Sequence, residues 1–163
     1  MMTGASKPSP AEQLQLALRQ ETAIAQRLYE VMAQEQSALQ RMDTSSIQAL
    51  AQEKSRLLAA LDEQLSQRQR LVPNGQQPGA LDALIARLPA PIASNLKQLA
   101  DQLRELMLRC HTQNELNGRI IAASRRSVER SLSLLRGQQP DAVLYTPNGA
   151  ATRLGPARRF ASA

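Results

Sequence analysis

The chain has 163 residues, of which 42% are hydrophobic but only 2% aromatic, and its formal net charge is +6. This length suits one domain with a modest core, and a Leu-, Ala-, Gln- and Arg-rich composition is typical of helical bundles and coiled coils. Strand formers do not alternate with polar residues, which argues against a sheet. The positive charge leaves four interpretations open: a nucleic acid, an anionic membrane or an acidic protein as partner, or a solvated basic surface.

Cysteine usage and hydropathy bear on the compartment. Cys110 is the only cysteine, so no internal disulfide can form, and this fits a reducing compartment. Residues 1–10 lack the apolar centre of a signal peptide, and no stretch approaches the roughly 20 apolar residues that span a bilayer. We therefore predict a cytoplasmic protein without membrane insertion.

The first predicted helix covers residues 9–42 and follows a flexible N-terminus of residues 1–8. Ser9 and Glu12 form a capping box, with Pro10 at the first helical position. Apolar residues then alternate in steps of four and three, the heptad pattern. They are Leu14, Leu18, Ala25, Leu28, Met32, Leu39 and Met42, and Ala17, Ile24, Val31 and Ala38 widen the stripe.

The second predicted helix covers residues 45–72 and forms an antiparallel hairpin with the first, because the cap-forming residues 43–46 leave only a short turn. Its apolar face comprises Ile47, Leu50, Leu57, Leu58, Leu61, Leu65 and Val72. Charged residues interrupt both apolar seams. In an antiparallel hairpin the numbers of two facing residues add up to a constant, and both 35 with 54 and 21 with 68 add up to 89. We therefore predict the pairs Glu35–Lys54 and Glu21–Arg68; the alternative is that all four side chains extend to solvent.

A Pro- and Gly-rich loop at residues 73–79 precedes a short predicted helix, 81–88, and a long third one, 91–136. The third seam shows a stutter at Leu106, Cys110 and Asn114, where two steps of four follow each other, and this predicts local unwinding of the supercoil. The seam comprises Ile92, Leu96, Leu99, Leu103, Leu106, Cys110, Asn114, Asn117, Ile121, Val128, Leu132 and Leu135.

The predicted third helix is longer than its partners. At about 46 residues it measures roughly 70 Å, against roughly 42 Å for the second helix. Its last apolar residues, from Ile121 to Leu135, therefore exceed what the hairpin covers, and an exposed apolar stripe indicates interaction. We predict an all-α fold with one helical domain, 9–137, made of an elongated antiparallel hairpin and a long third helix. Residues 138–163, rich in Pro and Gly, are predicted to be a mobile basic tail.

No group of residues predicts catalysis or a cofactor. Cys110 and His111 are neighbours on a helix, so their side chains diverge, and no second His or Cys completes a metal site. Phosphate-binding Gly-rich loops are absent. The stretch from Arg119 to Arg136 has five Arg against one Glu, but it lacks the aromatics that stack on bases. We predict neither an enzyme nor a nucleic-acid-binding protein.

Polar residues interrupt the third seam at Asn114, Asn117 and Gly118, and a helical Gly costs about 1 kcal/mol relative to Ala. Two interpretations are open and compatible. In the first, Gly118 permits a tight helix crossing while Asn sets the register. In the second, this point is a hinge or weak point that lets the last turns open for a partner.

This stretch resembles the signature of the FlgN-type flagellar export chaperones, Asn-x-x-Asn-Gly-x-Leu/Ile-Ile, in the residues Asn114-Glu115-Leu116-Asn117-Gly118-Arg119-Ile120-Ile121. Glu21 in the first helix, Asp43, Lys54 and Leu57-Leu58 around the second, and Tyr145-Thr146-Pro147-Asn148-Gly149 in the tail are similar as well. The likeness runs from about Glu12 to Gly149. This chain departs from the pattern in a longer loop before the third helix and a basic extension after Gly149.

The resemblance implies a cytoplasmic chaperone that uses no cofactor. Such a chaperone binds the amphipathic C-terminal segment of hook-associated proteins, which form the hook-filament junction, and delivers them to the flagellar type III export apparatus. It also implies that clients bind toward the C-terminal helix and that Tyr145 contacts the export gate.

The apolar surplus agrees with this implication, since a client helix can dock on it by its own apolar face. Arg125, Arg126 and Arg130 then complement acidic positions of the client. The alternative is a coiled-coil scaffold that self-associates through the same surface, which is also a possible state without client. The predicted client-binding residues are Asn114, Asn117, Gly118, Ile121, Arg125, Val128, Leu132 and Leu135.

Overall fold

The computed structural model describes residues 8–137, 144–145 and 151–152. Within these ranges the chain forms α1 (Pro10–Arg41), α2 (Thr44–Leu71), α3 (Ala80–Ile85) and α4 (Ala90–Leu135), followed by strands β1 (Leu144–Tyr145) and β2 (Ala151–Thr152). The predicted all-α class, with a long hairpin and a longer last helix, is confirmed. No helix of the described residues is long and apolar enough to cross a membrane.

The helix bounds differ from the predicted ones by a single residue, except that α3 ends three residues earlier than predicted, at Ile85. The reason lies in the approach to Pro89. The N–H groups of Arg87 and Leu88 bond the carbonyls three residues back, at 3.1 Å each, so the chain tightens into turns there.

Two very short strands depart from the expectation that the chain contains no sheet. Leu144 lies opposite Thr152 and Tyr145 opposite Ala151 in an antiparallel pair. Strands of two residues are too short for period-2 alternation to appear in the sequence. The rest of the predicted tail, 138–163, and residues 1–7 lie outside the described residues, so the predicted mobility of both termini and the 9–137 domain boundaries stay predictions.

Side-chain caps set the ends of the hairpin helices. The capping box of α1 is confirmed: the Ser9 N–H donates to Glu12 at 2.6 Å, and the Glu12 N–H donates to Ser9 Oγ at 3.3 Å. The Ser9 N–H and hydroxyl hold the pKa of the Glu12 carboxyl below its usual value. At the other end Met42 caps α1 in the left-handed conformation, with φ of 54°, and Asp43 accepts from the Ser46 N–H to start α2.

The chain divides into two compact units, Met1–Ile120 and Ile121–Ala163, with the boundary inside α4. In the first unit α1 packs against both α2 and α4. Its hydrogen bonds show that α4 runs parallel to it: Gln15 bonds Asn95, and the Met32 carbonyl bonds Asn117. The buried residues of α1 are Leu14, Ala17, Leu18, Glu21, Ala25, Leu28, Val31, Met32, Glu35 and Ala38.

The helices that pack against α1 are less buried. The larger of two clusters of buried apolar residues includes Leu96, Ala100, Leu103 and Leu106 of α4. Val72 and Ile85, from the segments that follow α2 and form α3, belong to the same cluster. No residue of α2, all of which is described, is fully buried. Half-buried Leu57 and Leu61 pack against Leu28, Met32 and Cys110 in a second cluster. Both α2 and α4 pack on α1, and their own outer faces stay partly open.

Apart from the surplus at the end of α4, three apolar residues of the predicted seams are exposed: Met42 by 73%, Leu58 by 46% and Ile92 by 40%. Met42 leaves the seam because its left-handed cap turns the chain away from the helix. Leu58 follows Leu57, and neighbouring side chains on a helix diverge by about 100°, so only one of them can face α1. Ile92 lies in the first turn of α4, where the bundle ends.

The predicted stutter in α4 is wrong. Leu96, Leu103, Cys110 and Asn117 are buried at strict intervals of seven, and Asn114 is exposed. Gln113 occupies the intervening position, where its amide donates to Gln36 of α1 at 2.9 Å. The heptad therefore continues without interruption, and the polar Gln113 conceals it in a search for apolar residues.

Both predicted ion pairs of the hairpin are confirmed. Lys54 Nζ lies 2.7 Å from Glu35 Oε1, and Arg68 Nε lies 2.6 Å from Glu21 Oε1. The two carboxylate side chains are only 4% and 3% exposed, and the cationic ones 21% and 15%. A shift in register would leave a carboxylate buried without its cation, so the pairs specify how α2 aligns with α1.

We expect Arg68→Met to lower the free energy of unfolding by about 3–5 kcal/mol, because it leaves the Glu21 carboxylate buried without a cation. Combining it with Glu21→Leu should restore most of that loss, because no buried charge remains. Urea unfolding followed by circular dichroism measures both. The matched control is Arg27→Met, which removes an exposed pair with Glu53 and should cost no more than about 1 kcal/mol. Equal losses for Arg68→Met and Arg27→Met would contradict the register role.

Candidate functional site

A buried amide lies near the end of the first unit. Asn117 is 1% exposed, and its Nδ2 donates to the Met32 carbonyl at 2.8 Å and to Glu35 Oε2 at 2.9 Å. Gln113 donates to its Oδ1 at 3.0 Å. These bonds align α4 with α1, which supports the register interpretation of Asn117. The predicted contact of Asn117 with a client therefore requires α4 to separate from α1 first.

Gly118 does not serve the close helix crossing that the first interpretation proposed. It is exposed, and a Cβ added to it would meet no atom within 4 Å. The neighbouring Asn114 is exposed too. A helical glycine with open space around it lowers helix stability without a packing benefit. Of the two interpretations only the weak point remains for Gly118, and its contact with a client stays a prediction.

The second unit begins with the apolar stripe, which we define as Ile121, Val128, Leu132 and Leu135. Steps of seven, four and three residues place these side chains on one side of the helix. They are exposed by 48%, 57%, 44% and 84%. The predicted surplus of apolar surface near the end of α4 is thus present, and among the described residues the stripe is the strongest candidate site.

Arginines lie beside the stripe and on the opposite side of this helical segment. Arg125, 80% exposed, lies beside the stripe and its Nε is 2.8 Å from Glu129 Oε1. Arg126 and Arg130 are exposed and, from helical periodicity, face away from the stripe. Of the three predicted arginines, Arg125 is therefore the one placed to meet an acidic group of a helix docked on the stripe.

Sequence reasoning missed a second apolar surface, a groove of about 450 Å³ between α2 and α4 in the first unit. Leu58 and Met107, exposed by 46% and 38%, contribute to it from the two helices. The signal was present in the Leu57-Leu58 and Leu106-Met107 pairs, because one partner helix cannot cover both members of each pair. The lining residues are Glu21, Leu58, Leu61, Asp62, Leu65, Arg68, Leu103, Arg104 and Met107.

The two residues with reactive side chains do not meet. Cys110 is 3% exposed, and its thiol donates to the Ala25 carbonyl at 3.4 Å. Burial raises the pKa of this thiol above its usual value, which disfavours the nucleophilic thiolate. The His111 side chain is 69% exposed and lies 3.5 Å from Glu115. Among the described residues, no three His, Cys, Asp or Glu side chains group as metal ligands would.

Tyr145, the predicted contact with the export gate, lies on β1. Its partner across the ladder is Ala151. This backbone pairing between β1 and β2 could not be predicted from helical periodicity, which gives no information on strands.

Comparison with known proteins gives one positive result. The model of the family described as FlgN protein matches residues 2–153. No curated protein and no solved structure matches the chain. The family match includes α1 to α4, the Asn114–Ile121 signature and both strands. Since it covers nearly the whole sequence, the chain belongs to the FlgN family of flagellar export chaperones.

Proposed function

We propose that this protein binds the amphipathic C-terminal segment of a flagellar hook-associated protein in the cytoplasm and delivers it to the type III export apparatus. The observation that carries the proposal is the apolar stripe, whose four side chains are each at least 44% exposed. An aliphatic row of this kind on a helix is the complement of another helix's apolar face.

The stripe limits what the client can be. From Ile121 to Leu135 it extends over about 21 Å, four turns of helix, so a client needs a helical segment of similar length. Anchoring residues on that segment must recur at steps of three and four. Ordering such a segment costs roughly 2–5 kcal/mol, which keeps the affinity moderate and permits release for export.

Charge adds selectivity for the client. Arg125 borders the stripe, so an acidic residue of the client can replace or share its present partner Glu129. Arg126 and Arg130 face away from the stripe and act on the encounter through the field they create. An amphipathic segment with acidic residues beside its apolar face is therefore the preferred client.

The alternative is a scaffold that self-associates through the stripe, and the positive charge of the same segment disfavours it. Residues 121–136 contain four Arg and one Glu, so two copies would bring like charges together. Light scattering distinguishes the two hypotheses, since a stable dimer formed through α4 would favour the scaffold and a monomer that binds a client would favour the chaperone.

Replacing Leu132 and Leu135 by Asp tests the stripe. Because both side chains are exposed, we expect the fold to persist while client affinity, measured by titration calorimetry with a hook-associated protein's C-terminal peptide, falls by at least about 100-fold. The matched variant carries Leu58→Asp and Met107→Asp in the groove and should keep native affinity. The reverse result, with affinity lost only in the groove variant, would assign the client to the groove instead.

A second test separates client binding from delivery. We expect Tyr145→Ala to leave the affinity for the client peptide unchanged and to weaken binding to the purified cytoplasmic domain of the export gate. Tyr145→Phe is the matched control, because it keeps the ring and loses only the hydroxyl. Loss of client binding in Tyr145→Ala would contradict this division of roles.

The weak-point interpretation of Gly118 has its own test. Gly118→Ala meets no atom within 4 Å, so we expect it to stabilise the protein by up to about 1 kcal/mol in thermal unfolding. If local opening of α4 at Gly118 precedes binding, the stiffer variant should bind the client several-fold more weakly. Unchanged affinity together with raised stability would show that Gly118 plays no part in binding.

A further inference from the structure

The end of α4 combines its exposed apolar stripe with a concentration of positive charge. Residues 121–136 hold four Arg and one Glu, a net charge of +3, which is half of the chain's +6. The one acid, Glu129, is already paired with Arg125 at 2.8 Å. Arg126, Arg130 and Arg136 are exposed. An amphipathic helix with arginines on its polar side is the type that lies in the interface of an anionic bilayer.

We propose that residues 121–136 bind the surface of an anionic lipid bilayer through the apolar stripe when no client covers it. This deepens the proposed function, because the stripe that takes the client is the part that meets the lipid. Binding at the surface requires no membrane-spanning segment, only a helix that lies flat with its aliphatic side toward the acyl chains.

The distribution of residues around this segment favours that orientation. Arg125 and Arg136 border the stripe on one side by helical periodicity, where their aliphatic stems can follow the apolar surface while the guanidinium groups reach lipid phosphates. Small residues, Ser124 and Ser131, border the other side. With its one acid paired, the segment has no unpartnered carboxylate to oppose an anionic surface.

The charge and composition of residues 121–136 also favour an anionic bilayer over a second copy of the segment or a nucleic acid as the ligand. A second copy of this segment would bring +3 against +3, whereas anionic headgroups supply the opposite sign. A nucleic acid would pair with the arginines but leave the aliphatic stripe exposed, and the segment has no aromatic side chain to stack on bases. Four aliphatic side chains bind a bilayer only marginally by themselves, so the arginines are required, as in other two-signal anchors.

The consequence is competition for the stripe. A helix whose apolar side faces acyl chains cannot at the same time hold a client on that side. The client-free protein therefore resides at the membrane surface, and client loading releases it. The strength of the lipid contact depends on ionic strength, because the arginine contribution is screened by salt.

Vesicle co-sedimentation with the full chain tests the proposal. We expect retention on vesicles that contain phosphatidylglycerol and none on phosphatidylcholine alone. Arg126→Gln, Arg130→Gln and Arg136→Gln together should weaken retention by up to roughly 100-fold, since each Arg close to an anionic surface contributes about fivefold and those on the far side of the helix contribute less. Leu132→Asp with Leu135→Asp should abolish it. Added client peptide should displace the native protein from the vesicles.

The matched control replaces three exposed arginines of α1 and α2, Arg19→Gln, Arg56→Gln and Arg70→Gln, with the same change in net charge. Equal loss in the control, equal retention on both lipids, or undiminished retention of the Asp variant would overturn the proposal. So would binding to duplex DNA with no retention on vesicles. Client calorimetry on the same samples separates the two hypotheses: lipid binding without client binding contradicts only the proposed function, and the converse contradicts only this inference.

Discussion

One buried carboxylate holds the three long helices of the first unit in register. Glu35 of α1 accepts from Lys54 of α2 at 2.7 Å and from Asn117 of α4 at 2.9 Å. Its side chain is 4% exposed, so displacing Lys54 would leave a buried charge without compensation at a cost of several kcal/mol, and displacing Asn117 would remove a hydrogen bond from that charge. Such a group adds little net stability, but it excludes alternative alignments of helices whose apolar seams are otherwise built largely of similar leucines.

The uneven burial of the three helices explains why apolar surface remains on α2 and α4, since α1 is the most buried of them. Both α2 and α4 pack on α1 but do not close fully on each other, and the groove of about 450 Å³ lies between them. The length of α4 leaves further apolar surface uncovered, because α4 has 46 residues whereas α1 has 32 and α2 has 28. Exposed apolar surfaces of this kind are what the proposed binding of a client helix requires.

The apolar stripe and the arginines beside it belong to one helical segment, so both proposed roles depend on the same few turns. The family is shown by a match over residues 2–153, whereas the client, the export gate and the bilayer are inferred from the chemistry of that segment. A ligand that binds the apolar stripe and the arginines near it must present an apolar surface together with negative charge. A client helix and an anionic bilayer surface both meet this description, and they exclude each other by geometry.

Local patterns in the sequence were sufficient to predict the helices, the capping box and the hairpin register, because spacing along a helix is determined by its pitch and paired charges reveal the alignment. They were not sufficient for Gly118, for the alignment of Asn117 with Glu35, or for the groove, since each depends on which neighbour occupies the adjacent space. The same holds for Leu58 and Met42, where a neighbouring side chain or a left-handed cap decided exposure. The amino-acid order therefore determined the elements and their amphipathic faces, and only the way α2 and α4 pack on α1 decided which of those faces stay open.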